Sequence, residues 1–489
     1  MKTREELREK GQFWTPDWIA ENMVRYVLTD NSDHIFDPAY GMGAFFVAAK
    51  KIAKETGKKI SFFGTDIDSE LINEIKKEGL LSLQEAKNLR TDNFIKTNLE
   101  KKYKAIIVNP PYLRHHRISM LDKQELKAIA SKYLGKELDG RAGLHIYFLI
   151  LCLLSLEKNG KMSFIVSSDI CEGVFSNTLW KWIAENYQIE AALTFSGSAT
   201  PFPNIDTNPI ILFIKNAPPK ENLSWARCIE KDPEEIKKWI ESGFSEKIVD
   251  KKKITASSRL LAEAIETGLS RLPQTEIHKF TLGDFAHTMR GIATGNNDFF
   301  LLNKATVKKF NLPSAYLIPV ISRTRDLTGD VIDEKTFQEL DRKNRPSFLL
   351  YINNEKAEDL PQALQDYLAY GEKNNVHKTT LIATRNPWFK MERRNPPAIL
   401  FSYLGRRNSR FLFNKAEALP LNGFLCIYPK STEKSDLNKL IELLNHKDVL
   451  KNLFLVGKSY GSDAVKVEPR ALERLPIPEY LVRQVGLIA

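Results

Sequence analysis

The stretch KAIIVNPPYLRHHR, residues 104–117, ends an apolar run in an amide, two prolines and an aromatic. Pro110 and Pro111 fix φ and carry no N–H, so the side-chain oxygen of Asn109 and the carbonyl of Pro110 can stand together as acceptors. Such a turn takes hydrogen bonds and gives none. It suits an exocyclic NH2, which loses conjugation with its ring when held this way and becomes nucleophilic without a general base. Tyr112 adds a flat face on which a base can stack. The alternative is a rigid corner whose tyrosine packs on the core.

Two other strand ends carry chemistry. In DPAYGMGAFF (37–46), Gly41 and Gly43 remove side chains where a turn must be tight and a ligand presses on the backbone. In GTDID (64–68), Asp66 stands about two dozen residues beyond those glycines, where a carboxylate can accept both hydroxyls of a ribose. No GxxxxGK loop is present, which disfavours a nucleoside triphosphate. A nucleoside without one is the better fit.

The elements that must position these residues are legible between 15 and 215. Short β-rich runs alternate with helical patterns, the signature of a doubly wound parallel α/β sheet. Strands are expected at 34–40, 60–66, 89–95, 103–109, 161–168, 190–196 and 209–216, seven in all. Residues 15–28 read as a helix with Thr15 as cap and Pro16 at its first position. Residues 217–275 break into a charged stretch that reads as a linker or excursion, closing a first domain at 1–275. From 276 to 489, strand-like runs, aromatics and basic residues dominate without βαβ periodicity, the pattern of a mixed α+β second domain.

Charge divides unevenly. Through residue 270 there are 39 Lys and Arg against 37 Asp and Glu, and beyond it 33 against 24, so +9 of the net +11 lies in the second part. That excess points to a polyanionic partner or to a mere solubility surplus. Cys152, Cys171, Cys228 and Cys426 are scattered without metal-ligand spacing, so no metal site is indicated and a reducing cytoplasm is expected. The first residues lack the apolar segment of a signal peptide. AGLHIYFLILCLLSL (142–156) falls short of the ~18–20 residues of a membrane span and reads as a buried helix.

The order TPDWIAENMV, DPAYGMGAFF, GTDID, NPPY, followed by a long C-terminal extension, resembles the adenine-specific (N6) DNA methyltransferases of the gamma motif order from restriction-modification systems. The resemblance implies a Rossmann-like methyltransferase fold and S-adenosylmethionine as cofactor. It also implies methyl transfer to adenine N6 in double-stranded DNA. Thr15 would contact the methionine part, Asp37, Gly41 and Gly43 would form the main loop, and Asp66 would hold the ribose. Asp92 and Phe94 would meet the cofactor adenine. Asn109, Pro110 and Tyr112 would be catalytic, and Phe202 would stack on the far side of a flipped base. Tyr40 and Met42 stand where family members have smaller residues.

The second domain resembles a DNA target-recognition domain, opened by HTMRGIATGNNDFFLL (287–302) and closed by KSYGSDAVKVEPRALERLPIP (458–478). Arg393, Arg394, Arg406, Arg407 and Arg410 interleave with aromatics and are expected to contact DNA, with Arg114 and Arg117 over the backbone beside the catalytic turn. One chain holding catalysis and recognition would act as a monomer, with any cognate endonuclease acting separately on the same site. Rival readings are transfer to cytosine N4, RNA or a protein amide, and a non-catalytic DNA-binding subunit. A fused nuclease is disfavoured by the roughly ten residues ahead of the first motif.

Overall fold

Apolar side chains alternate between two cores along the central strands: Ile35, Ala105 and Ile107 enter one, Phe36, Ile106 and Val108 the other. Only a sheet covered on both faces accommodates that pattern. The computed structural model describes residues 14–29, 32–96, 99–113, 117–171, 175–203, 207–273, 278–353, 356–402, 410–460 and 464–487. The chain divides into two compact units, Met1–Pro273 and Gln274–Ala489.

In the first unit the elements run α1 (Asp17–Val27), β1 (His34–Asp37), α2 (Ala44–Thr56), β2 (Ser61–Asp66), α3 (Leu71–Lys77), β3 (Leu89–Thr91), β4 (Tyr103–Val108), α4 (Met120–Leu134), α5 (Leu144–Leu154), β5 (Leu156–Ser167), α6 (Ser176–Asn186), β6 (Gln188–Phe195), β7 (Pro209–Lys215), β8 (Asn222–Cys228), α7 (Pro233–Glu241), β9 (Ile254–Leu260) and α8 (Leu261–Thr267). One sheet takes all nine strands in the order β3-β2-β1-β4-β5-β7-β6-β8-β9. Strands β1 to β5 pair in parallel, and β7 runs antiparallel to both β5 and β6. Helices α1, α2, α3 and α7 cover one face, and α4, α5, α6 and α8 the other. Strand order reverses between β1 and β4, so a crevice opens at their C-terminal ends.

The seven expected strands are all present, and two more extend the sheet. From 217 through residue 273 the chain is built into the first unit: β8 pairs in parallel with β6, β9 returns antiparallel to β8, and α7 packs beneath them. Charged residues crowd this segment, yet Ile236, Trp239 and Ile240 of α7 are buried, and with them Glu235. Asp232 caps α7 by accepting from the backbone N–H groups of Glu234 and Glu235 at 3.1 Å. The run at 142–156 is the buried helix α5, in which every position but His145 and Leu154 is buried. Among the described residues no helix is long and apolar enough to cross a membrane.

The second unit is mixed α and β. A five-stranded sheet runs Ala286–Arg290, Phe424–Pro429, Ile399–Ser402, Arg410–Asn414, Val331–Ile332, and a four-stranded one runs Leu301–Leu302, Phe348–Leu350, Leu317–Ile321, Leu419–Pro420. Pairing is antiparallel except at Val331–Ile332 with Phe413–Asn414 and at Val320–Ile321 with Leu419–Pro420. Helices Lys434–Leu444 and Glu479–Val485 pack on the larger sheet through Leu440, Leu443, Leu481 and Val482.

Candidate active site

The turn after β1 is shaped by glycine. Gly41 has φ +49° and Gly43 φ +77°, a region L side chains avoid, and Gly43 opens α2. A Cβ at Gly41 would meet nothing within 4 Å, because the residue borders open space. That space is a cavity of about 190 Å³ at the reversal point of the strand order.

Asp66, at the end of β2, ties this loop to the next one. Its Oδ2 accepts from the Gly41 N–H at 2.9 Å and its Oδ1 from the Asp68 N–H at 3.0 Å. The carboxylate lines the cavity and is largely buried, and burial pushes its pKa up. Asp92 and Asn93 supply further polar lining, while Trp14, Met42, Ile67 and Phe94 give apolar walls. Phe94 is 3 % exposed and held between Phe36 and Phe148.

Asn109, Pro110 and Pro111 form part of the same wall. The Asn109 side-chain N–H donates to Thr15 Oγ1 at 3.1 Å, which fixes the amide with its oxygen turned the other way. This bond explains why Thr15 does not cap α1: the helix starts at Asp17 with Pro16 in the cap position and no side-chain cap. Tyr112 is half-buried outside the cavity lining, its hydroxyl donating to the Ile165 carbonyl at 3.2 Å and its ring 5.9 Å from that of His145.

Asp37 lies behind the loop rather than in the cavity. Its Oδ1 accepts from the Ala39 N–H at 3.0 Å, and Oδ2 is buried without a hydrogen-bond partner among the described residues. Burial raises its pKa well above the ordinary carboxylate value. The native state therefore binds this proton more tightly than the unfolded chain, and stability falls as pH rises from the unfolded value of 3.8 toward the raised native one. Asp37→Asn, which does not ionise, is expected to raise the melting temperature by a few degrees at neutral pH. The gain should vanish in scans below the unfolded carboxylate value.

Phe202, expected to stack on a base, is placed elsewhere. It is 7 % exposed and packs in the core shared with α1 and α2, away from the cavity lining. The loop turns it inward, where its apolar ring is better buried than presented to water. Phe202→Ala should therefore cost about 3 kcal/mol in chemical denaturation, with little change in transfer rate per folded molecule.

The arginines separate likewise. Arg394 is spent on its own unit, donating to the Arg290 carbonyl and to Glu392. Arg410 donates to the Leu327 carbonyl at 2.9 Å and to Asp330 Oδ1 at 3.1 Å. Both guanidinium groups make these hydrogen bonds within their own unit. Arg117 and Arg393 are exposed, while Arg114, Arg406 and Arg407 lie outside the described residues. Trp14, Ile67, Leu144 and Phe148 line the cavity without having been singled out from the sequence. Adjacency offered a signal for two of them, since Trp14 precedes Thr15 and Ile67 follows Asp66.

The chain matches the N-6 DNA Methylase family over residues 1–234 and the family described as type II methyltransferase M.Eco57I, C-terminal domain, over 230–486. It is 25% identical over 480 residues to type II methyltransferase M.AccI of Acinetobacter calcoaceticus, covering 96% of this chain and 85% of that one. With type II methyltransferase M.XamI of Xanthomonas campestris pv. amaranthicola it shares 21% identity over 494 residues, with the same coverages of 96% and 85%. Its fold is similar to the type IIL restriction-modification enzyme MmeI, solved in complex with DNA, at a TM-score of 0.59 and 13% identity, covering 94% of this chain and 65% of that one. The DrdV–DNA complex gives a TM-score of 0.52 at 12% identity, covering 98% and 57%. Both solved enzymes are longer than this chain and show the fold alone. With one family match spanning the crevice and its floor, and the other nearly everything after it, the chain belongs to the type II DNA methyltransferases of the adenine N6 class.

Proposed function

We propose that this chain transfers the methyl group of S-adenosylmethionine to the N6 amino group of adenine at a specific site in duplex DNA, as the modification enzyme of a type II restriction-modification system. The observation that carries the reading is one wall shared by two chemistries: Asp66 and the Asn109-Pro110-Pro111 turn line the same cavity. The lining fits the cofactor. Asp66 offers oxygen lone pairs beyond those used by Gly41 and Asp68 for ribose hydroxyls, Asp92 and Asn93 can meet the rim of an adenine, and Ile67 and Phe94 can hold its faces. When bound, S-adenosylmethionine supplies an electrophilic methyl on a sulfonium sulfur.

The chain's own residues do the rest. Asn109 Oδ1 and the Pro110 carbonyl accept hydrogen bonds from the two N6–H groups, which turns the nitrogen lone pair out of the ring and toward the methyl. No group on the turn takes a proton, so the surplus one leaves the methylated nitrogen for solvent. Extruding an adenine costs a few kcal/mol of stacking and pairing, and stacking on Tyr112 offsets part of it. Exposed Arg393 and the basic excess of the second unit suit phosphate contact and target recognition. An endonuclease cutting the same sequence would be a separate protein, and the enzyme would act as a monomer in the cytoplasm beside its DNA.

The test is to incubate the protein with S-adenosylmethionine and plasmid DNA and map modified bases by single-molecule sequencing. N6-methyladenine at one recurring sequence is expected. Modified cytosine, or no modification with cofactor bound, would overturn the reading.

A further inference from the structure

One turn of α5 touches both the cavity and Tyr112. Leu144 and Phe148 line the cavity, while His145 sets its ring beside that of Tyr112, centroids 5.9 Å apart and planes inclined by 31°. The Leu144 N–H donates to the Leu113 carbonyl at 3.0 Å, tying the start of α5 to the residue that follows Tyr112. Gly143 leaves the room this needs: a Cβ there would come within 2.7 Å of His145 Cε1, 3.0 Å of its Nδ1 and 3.1 Å of the Leu113 carbonyl oxygen. His145 Nδ1 is buried and has no hydrogen-bond partner among the described residues. Burial lowers the His145 pKa to about 4, so at neutral pH the ring is an uncharged aromatic plate.

Tyr112 packs against the core of the first unit, and its hydroxyl is anchored on β5 through the Ile165 carbonyl. The His145 ring stands beside it and bears on its inclination. We propose that His145 is a positioning residue for methyl transfer, fixing the inclination of the Tyr112 ring on which the target base stacks, and that Gly143 is glycine because the imidazole occupies the space of its side chain. The inference rests on the adenine-transfer reading above. It concerns planarity and volume, not hydrogen bonding: an apolar ring should replace the imidazole, and a flexible polar chain of similar size should not.

The test uses the full-length protein and a duplex carrying the mapped site, followed by single-turnover transfer, cofactor affinity by calorimetry, and 2-aminopurine fluorescence with the analogue at the target position. His145→Gln is expected to slow transfer by ~10-fold or more, because a base held ~1 Å out of place loses its line of attack, with cofactor affinity within ~2-fold of wild type. Its 2-aminopurine signal should rise as stacking loosens. Gly143→Ala should behave in the same way, and His145→Phe should recover most of the rate. Melting curves accompany each variant, and His145→Leu replaces His145→Gln if the latter does not fold. Wild-type transfer by His145→Gln, equal impairment of His145→Phe, or matched losses of rate and cofactor affinity would each overturn the inference and leave the adenine reading standing. A wild-type protein that binds DNA and cofactor but methylates no adenine would overturn both.

Discussion

Asn109→Ala should lower single-turnover methyl transfer by ~10²–10³-fold, the scale of losing a preorganised polar contact to the reacting group in a water-poor site, while cofactor and DNA affinities stay near wild type. The side chain lines the cavity through an amide whose nitrogen is already committed to Thr15 at 3.1 Å. Its oxygen is therefore oriented before substrate arrives, and removing it takes away an acceptor that works only once an amino group is present. Binding contacts made by Asp66 and the apolar walls are untouched. Asn109→Asp should keep more activity than Asn109→Ala, since the Thr15 hydroxyl can turn to donate to one carboxylate oxygen while the other still accepts. Thr15→Val removes the bond that orients the amide, and a loss of ~10-fold in rate is expected. Tritiated methyl transfer in a single turnover, beside calorimetric titration of cofactor, separates the effects. An Asn109→Ala enzyme within ~10-fold of wild type would leave the acceptor pair without a catalytic role.

The Asn109 turn was legible because proline removes both freedom and donors, so the chemistry of the backbone is written in the residue types. Asp66 was legible for a similar reason, as a carboxylate at a strand end beyond a glycine turn. What the sequence withheld concerns partners far apart in the chain. Arg394 and Arg410 look like surface charges for DNA, yet their guanidinium groups are taken by Arg290, Glu392, Leu327 and Asp330. No local pattern records such pairings. Phe202 sits beside Pro201 and Pro203, where an aromatic can turn either way, and only the packing of the core decides. Residues 217–275 read as a linker or excursion because the charged residues of α7 outweigh, in composition, the three apolar residues that anchor it. Trp14 was hidden by its neighbours, since Thr15 and Pro16 drew attention as a helix start while the indole lines the cavity.

Asp66→Asn, nominally the mildest change available at the cofactor cavity, should weaken S-adenosylmethionine binding nearly as much as Asp66→Ala. Both carboxylate oxygens accept backbone N–H groups, Oδ2 from Gly41 at 2.9 Å and Oδ1 from Asp68 at 3.0 Å. An amide in the same place must aim its NH2 at one of those donors, and two donors repel. The loop carrying Gly41 or the one carrying Asp68 then moves, and the site loses both its ribose acceptor and its shape. Hydrogen bonds to a charged group are worth about 1.5–3 kcal/mol each, so a rise in Kd of ~100-fold is expected for either variant. The ionised carboxylate is the form that accepts, and burial raises its pKa, so wild-type affinity should start to fall at a higher pH than an ordinary aspartate would dictate. Asp66→Asn should lack that acid limb, because nothing in its place titrates. Calorimetric Kd values from neutral pH downward, limited to the range in which circular dichroism reports a folded protein, test both statements. An Asp66→Asn enzyme of wild-type affinity would mean that the loops are held by something other than this carboxylate, and that the ribose finds its acceptors elsewhere in the cavity.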